Sequence, residues 1–336
     1  MVAGMVHESY TCRMIFPPTP ENILTAAQIL RKGKVVGVPT ETVYGLAGSI
    51  NRAESIEEIF RRKGRPQDNP LIVHVADVHM ACELTHAEGA DALLALGKVF
   101  WPGPLTIVVP SVDRVAGIVR AGLDTVAIRV PAHPVFQELL QSVECPLAAP
   151  SANVSGRPSP TCAEHVRHDM GDDLFILDGG TCQHGIESTV VRVVGNIIHV
   201  LRPGAVRVED LQAVAGFAVV PSWNLAGQAA PASPGMKYRH YAPEAQLQLC
   251  SSLQELDQII RRSDQRTLVL APEHWIRHIQ HDHVHVLETS TLYNELRQAD
   301  LLQTAVIVVL CDDAVLADEA LMNRLTKAAG LESKGP

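Results

Sequence analysis

Apolar residues recur at two spacings along this chain, and the change from one to the other outlines its elements. Residues 22–32 carry apolar positions at helical spacing and lead into Val35–Thr40, an apolar run of strand length. Ala53–Arg62 sets Ile56, Ile59 and Phe60 on one face of a helix, and Leu71–Val75 is a short apolar strand. Asp91–Phe100 reads as a helix stopped by Trp101-Pro102-Gly103-Pro104. Leu105–Val109, Thr125–Val130 and Leu147–Ala149 read as strands, Thr161–Met170 as a helix, and Leu174–Leu177, Ser188–Val194 and Ile197–Leu201 as strands again. Helices and strands mix without strict alternation, which predicts an α/β unit on a mixed sheet.

The pattern then breaks. Pro221 to Pro231 is Pro, Ala, Gly and Ser with little else, and after it the order becomes regular. Strand Leu247–Cys250, helix Leu253–Arg262, strand Thr267–Leu270, a short helix near Trp275–Ile279, strand His283–Leu287, helix Thr291–Ala299, strand Ala305–Leu310 and helix Glu319–Ala329 follow in turn. That alternation predicts a smaller, Rossmann-like parallel three-layer unit, although no GxGxxG turn supports a dinucleotide site. The expected organisation is an N-terminal extension (1–20), a first domain (21–215), a linker that doubles as a lid (216–245) and a C-terminal domain (246–336).

Composition narrows the class. Of 336 residues, 46% are hydrophobic and 19% charged, as in a globular protein with real cores, and no apolar run approaches a membrane span. The net charge of −9 is shared by both halves, which argues against a nucleic-acid domain held by bulk charge. Seven scattered cysteines without metal-finger spacing, and no export signal, predict reduced thiols in the cytoplasm. His281-Asp282-His283-Val284-His285 reads as one wet strand face rather than a metal site.

Candidate chemistry gathers in blocks. Val38-Pro39-Thr40-Glu41-Thr42-Val43-Tyr44-Gly45-Leu46 sits at a strand's C-terminal end, where open α/β sheets place ligands; it reads as a turn offering two threonine hydroxyls and a tyrosine to a small polar ligand, or as an ordinary Thr-rich strand end. Arg61, Arg62, Lys63 and Arg65 end a helix ahead of a loop pinned by Pro66 and Pro70. Cations at that end also satisfy the helix dipole, yet four of them before a rigid loop suit a phosphate chain. His74 ends the next strand and is read as either a satisfied strand histidine or a ligand contact. Arg129 lies inside an apolar strand and needs an anion, from the protein or from a ligand. Ala149-Pro150-Ser151-Ala152-Asn153 opens a small-residue loop that can bring N–H groups to phosphate, and Glu187-Ser188 and Arg202-Pro203-Gly204 end the set. Ser233-Pro-Gly-Met-Lys-Tyr-Arg-His-Tyr-Ala-Pro243 concentrates donors and rings between turn residues, as a segment folding over a polyanion would. No GxxxxGK[ST] loop is present.

PTETVYGL, KGRPQDNPL, WPGPLT, AIRVPAHP, APSANVSGRPSPT, GIESTVV, LRPGAV and SPGMKYRHYAP occur in this order, and together they resemble the threonylcarbamoyl-AMP synthases, the long two-domain form of the YrdC-like family. The resemblance is dense over 22–243. It implies a twisted mixed sheet with a concave groove, and an enzyme joining L-threonine, bicarbonate (or carbon dioxide) and ATP into threonylcarbamoyl-AMP and pyrophosphate. It implies Mg2+ carried mainly by the ATP phosphates, with no metal site of the protein's own. It also implies a tRNA-modifying threonylcarbamoyl transferase complex as acceptor, with tRNA met indirectly or weakly and no membrane partner. Carried onto this chain, Lys63, Arg65, Ser151 and Asn153 are its catalytic set. Thr42, His74, Arg129, Ala149 and Ser188 meet threonine. Arg65, Asn69, Thr125, Ser151, Ser159, Arg202 and Tyr238 meet ATP, with Tyr241 the alternative to Tyr238.

The chemistry suits these residue types, since charge gathers on phosphate oxygens and fixed cations stabilise it, and a lid over 233–243 would keep water from the acyl-adenylate. Two alternatives stand beside this reading. A carbamoyl-adenylate enzyme of hydrogenase maturation would bring acylphosphatase and zinc-finger modules, which this sequence lacks, and a non-catalytic RNA-binding factor would show salt-dependent RNA binding in place of threonine-dependent turnover.

Overall fold

The computed structural model describes residues 14–223, 240–263 and 266–331. In chain order the first unit contributes strands β1 (Ile15–Phe16), β2 (Val36–Val38), β3 (Gly45–Ser49), β4 (Ile72–His74), β5 (Leu105–Pro110), β6 (Thr125–Arg129), β7 (Leu147–Ala148), β8 (Ile176–Leu177), β9 (Thr189–Val194), β10 (Ile197–Arg202) and β11 (Ala218–Pro221). They hydrogen-bond in the order β1-β8-β2-β3-β7-β4-β6-β5-β9-β10-β11. The sheet is mixed, as the uneven alternation predicts: β4 runs parallel to β6, while β5–β6 and β9–β10 are antiparallel.

Helices cover both faces. On one, Val36, Val38, Ala47 and Leu147 pack with Ile23, Ala27 and Leu30 of helix Pro20–Arg31 and with Phe136, Leu139 and Leu140 of helix Pro134–Val143. On the other, Leu46, Val73, Ile107 and Ile128 meet Ile56, Ile59 and Phe60 of helix Ala53–Lys63 and Leu93 and Leu96 of helix Ala87–Phe100. Successive strand residues such as Leu46 and Ala47 thus enter different cores, which is the two-residue repeat of a strand buried on both sides.

The second unit is a parallel sheet in the order β12-β15-β13-β14, with β12 (Gln246–Cys250), β13 (Thr267–Ala271), β14 (Val284–Val286) and β15 (Val306–Leu310). Its residues also divide alternately. Leu268, Leu270, Ile307 and Val309 face helices Leu292–Leu301 and Glu319–Ala328, and Val269, Ala271, Val306 and Val308 face helix Leu253–Arg262. Val43 and Ile186 of the first unit belong to the same core as Leu268 and Ile307, so the two units share apolar contact. No helix of the described residues is long and apolar enough to cross a membrane.

Most elements sit where the apolar pattern places them, with instructive shifts. Helix Pro20–Arg31 starts before residue 22, because the Thr19 side chain accepts the Asn22 N–H at 3.3 Å and Pro20 occupies its first turn. Gly45–Ser49 is a strand rather than part of a turn, and helix Pro134–Val143 was not anticipated.

Candidate active site

A cleft opens where several strands end. Thr40 and Thr42 follow β2, His74 ends β4, Arg129 ends β6, Ala149 to Ser151 follow β7 and Arg202 ends β10; all of these line it, together with Arg65, Glu187, Ser188, His240 and Tyr241. This is the carboxyl-end crevice expected of an open α/β sheet.

Its floor is held by hydroxyls. Thr40 Oγ1 accepts the N–H groups of Thr42 (3.0 Å) and Val43 (3.1 Å) and donates to the Val43 carbonyl at 2.7 Å, which closes the turn locally. Thr42 Oγ1 then accepts from Arg129 Nη1 at 2.9 Å. Arg129 Nε donates to the Gly103 carbonyl at 3.1 Å, and Nη2 lies 2.7 Å from Glu41 Oε1 as a buried ion pair without aligned hydrogen-bond geometry. The anion that Arg129 requires is therefore supplied, at least in part, by the protein. Burial pushes the Glu41 carboxyl up, but Arg129 outweighs it and leaves the group below the usual carboxylate range. His74 lies beside them, pushed down to about 3 first by burial and then by Arg129, so its ring is neutral. That depression has a sign. A histidine buried neutral binds its proton more readily when unfolded, so its contribution to stability is present above about pH 6.5 and is lost as pH falls toward the folded value. The urea midpoint should fall on acidification below that point, and His74→Gln should flatten the slope; an unchanged slope would contradict the assignment.

The four cations of the helix end part ways. Arg61 and Arg62 pair with Glu58 at 2.7 and 2.6 Å, and Arg62 also with Asp173, so both serve the surface. The Lys63 ammonium is buried and donates to the carbonyls of Ser151 (2.5 Å) and Asn153 (2.7 Å). Burial, and then the Arg65 charge, hold it well below the usual lysine range. Lys63 thus ties the helix to the small-residue loop from behind the cleft. Gly64, at φ 57°, ends the helix in the left-handed region and turns Arg65 back toward the cleft. Arg65 Nε and Nη2 donate to the carbonyls of Asn69 (3.2 Å) and Pro70 (2.9 Å), and burial lowers its guanidinium to about 10.

The small-residue loop is laced to residues 44–46: Leu46 N–H donates to Pro150, Ala152 N–H to Tyr44 and Tyr44 N–H to Pro160, all at 2.8–2.9 Å. The Asn153 amide donates to the Val154 and Arg157 carbonyls and so holds the loop's far bend. Opposite, a register shift between Val200 and Arg202 re-aims the end of β10. Arg202 Nη2 donates to the Ser188 carbonyl (2.8 Å) and hydroxyl (3.2 Å), and Ser188 and Thr106 share a hydroxyl contact at 2.7 Å. Gly204 makes this approach possible, since a Cβ there would lie 2.5 Å from the Glu187 carbonyl and 2.6 Å from Thr189 N. Gly204→Ala should cost about 1–3 kcal/mol, read as a shift in the urea midpoint, because backbone on the far side cannot give way; a wild-type midpoint would contradict this close packing.

Of the residues carried over by resemblance, Thr42, Arg65, His74, Arg129, Ala149, Ser151, Ser188 and Arg202 meet in the cleft. Lys63 and Asn153 stand behind it, and the buried Asn69 accepts Arg65 through its carbonyl. Ser159 donates its hydroxyl to Glu187 at 2.6 Å rather than lining the cavity, and Thr125 lies at the opposite end of β6 from Arg129. Tyr238, with Ser233 to Arg239, falls outside the described residues, while His240 and Tyr241 do line the cleft. Glu41, Glu187 and His240 had no assigned role. A glutamate in a polar turn gives no sign of burial, so only their place in the GIESTVV and PTETVYGL blocks could have flagged the two acids.

Comparisons with known proteins bear on this geometry. A family model described as telomere recombination matches residues 28–204, and one described as threonylcarbamoyl-AMP synthase, C-terminal domain, matches 206–330. The threonylcarbamoyl-AMP synthase of Bacillus subtilis is 42% identical over 92% of this chain and 93% of its own length. The chain belongs to the threonylcarbamoyl-AMP synthase family. The relative from Schizosaccharomyces pombe is 37% identical over 96% of this chain and 92% of its own. Among solved structures, Pyrococcus abyssi Sua5 complexed with L-threonine superposes with a TM-score of 0.84 at 35% identity, covering 95% of this chain and 98% of that one. Family membership makes the chain one of a group of enzymes, with the two-unit fold that the sheet topology displays.

Proposed function

We propose that this protein makes threonylcarbamoyl-AMP and pyrophosphate from L-threonine, bicarbonate and ATP, and hands the product to a tRNA-modifying threonylcarbamoyl transferase complex in the cytoplasm. The carrying observation is that two groups of residues line one cleft. One is Arg129 with Thr42 and a neutral His74 at a strand end; the other is Arg65, whose guanidinium feels the charge of Arg202 nearby. The first group suits a small amino acid, the ligand of the superposed Pyrococcus abyssi Sua5, and the second suits phosphates.

In this reading Arg129 and Thr42 orient the threonine carboxylate, with Glu41 fixing the guanidinium plane. A neutral His74 avoids adding a second cation that would compete for that carboxylate. The threonine nitrogen attacks bicarbonate and water is lost, and a carbamate oxygen then attacks the α-phosphorus as pyrophosphate leaves. Arg65 and Arg202 stabilise charge that grows on the phosphate oxygens, and the Lys63-held loop offers Ser151 and its N–H groups beside them. Mg2+ belongs here to the ATP phosphates. Among the described residues no three His, Cys, Asp or Glu side chains converge as metal ligands. The carboxylate lining the cleft, Glu187, is taken up by Ser159, Tyr293 and Arg324.

Mass spectrometry of a reaction supplied with heavy-carbon bicarbonate tests the product directly. A threonine-dependent adenylate carrying the label is expected; AMP formed without label incorporation would reject the reading.

A further inference from the structure

Arg324, on helix Glu319–Ala328 of the second unit, is a completely buried side chain. A buried guanidinium must spend its N–H groups on acceptors. Two of those acceptors come from the other unit: Nε donates to Glu187 Oε2 at 3.1 Å, and Nη1 donates to the Pro203 carbonyl at 2.5 Å, while Nη1 also meets Asn323 Oδ1 of its own helix at 3.3 Å. Its Cζ also lies 5.5 Å from the centroid of the Tyr241 ring, within cation–π range. Tyr293, likewise from the second unit and buried, donates its hydroxyl to Glu187 at 2.9 Å and stacks on Tyr241 with centroids 5.4 Å apart.

Outside its own helix, the groups that Arg324 touches line the cleft or adjoin a residue that does. Glu187 and Tyr241 line it, Ser188 next to Glu187 holds Arg202, and Pro203 follows Arg202 directly. Among the described residues, the polar partners that hold Arg129 are Glu41, Thr42 and Gly103, all of the first unit. Stability alone gives no reason for this design, because a buried ion pair is often matched or bettered by apolar packing. Lys327 extends the same helix face one turn on, and burial, followed by Arg324 and Arg202, lowers its ammonium to about 8.

We propose that Arg324 is a positioning residue for adenylate formation: through Glu187, Pro203 and Tyr241, the C-terminal unit sets the Arg202 wall against which the nucleotide phosphates bind. This rests on the functional reading above. It gives the C-terminal unit a role in the reaction itself.

The test is steady-state pyrophosphate release by the full chain, with ATP and threonine varied separately, in wild type, Arg324→Lys, Arg324→Met and the double variant Glu187→Gln/Arg324→Met. Arg324→Met should raise the ATP KM about tenfold or more and shift the threonine KM about twofold at most. Arg324→Lys should recover part of that loss. Arg324→Met strands a buried carboxylate and can fail to fold, so the double variant, which removes both charges, decides the case. It should fold, bind threonine by calorimetry as wild type does, and keep the raised ATP KM. A double variant with a wild-type ATP KM, or with equal rises for both substrates, would overturn the proposal. Wild-type protein without threonine-dependent pyrophosphate release would instead overturn the functional reading beneath it.

Discussion

Replacing Arg129 by lysine is expected to raise the threonine requirement about 10²-fold while the ATP requirement changes little. The guanidinium serves three partners at once: it donates to Gly103 through Nε and to Thr42 through Nη1, and Nη2 is ion-paired with Glu41. Lysine keeps the charge and so spares Glu41 an unpaired burial, but a single ammonium cannot reproduce a planar fork. Losing one or two hydrogen bonds to a charged ligand, at about 1.5–3 kcal/mol each, gives a change of this size. The prediction separates recognition from structure. Arg129→Ala would confound them, since removing one member of a buried pair typically costs about 3–5 kcal/mol. Initial rates with each substrate varied in turn, beside a thermal melt, check it. Equal rises for both substrates, or a lysine variant that melts like the alanine variant, would make Arg129 a structural ion-pair partner only.

Lys63→Met is expected to lower adenylate formation by about 10²-fold or more, although its ammonium lies outside the cleft. Methionine fills similar space but leaves the Ser151 and Asn153 carbonyls without their donor. Each orphaned acceptor costs about 1–3 kcal/mol, partly offset by relief from burying an ammonium. Stability should therefore fall modestly and activity steeply, because the loop at Ser151 relaxes away from the phosphates. Near-wild-type turnover with a lowered melting point would mean that the loop's position does not matter to the chemistry. Arg65→Ala removes a charge that lines the cleft and should depress turnover more directly; it also leaves the Asn69 and Pro70 carbonyls without their donor, so stability should fall alongside.

How much of this was legible from the sequence depends on what each residue's neighbours had to be. The apolar runs of β5, β6, β13 and β15 announced themselves because strands buried on both faces tolerate little else. Helix Pro134–Val143 was missed although Pro134 occupies its first turn, because a second proline just upstream masks that signal. His133 at its N-cap makes no side-chain cap bond, and the Pro131-Ala132-His133-Pro134 run reads as a loop. β3 was missed because Gly45-Leu46-Ala47-Gly48 has little strand propensity; it is extended because it pairs antiparallel with β2 and with β7, and its start is laced to the Pro150–Pro160 loop more than 100 residues away.

In the site, the cationic helix end was legible and its division of labour was not. Four neighbouring cations look alike in sequence, yet helical geometry sends Arg61 and Arg62 to Glu58, Lys63 inward and Arg65 past the Gly64 cap. Arg129 was recognisable as a charge in need of a partner, and its partner Glu41 stood in a block read for its hydroxyls. Arg324 could not be found at all. An arginine on an amphipathic helix looks solvent-facing until the helix is docked, and the docking joins units whose contact no local pattern encodes.

Pyrophosphate release from ATP, measured with threonine and bicarbonate each present or omitted, tests the account most directly. Release that requires both substrates together, and that falls away in Arg65→Ala, is the predicted result. Release that proceeds equally without threonine, or none under any combination, would contradict the assignment of the two groups of cleft residues.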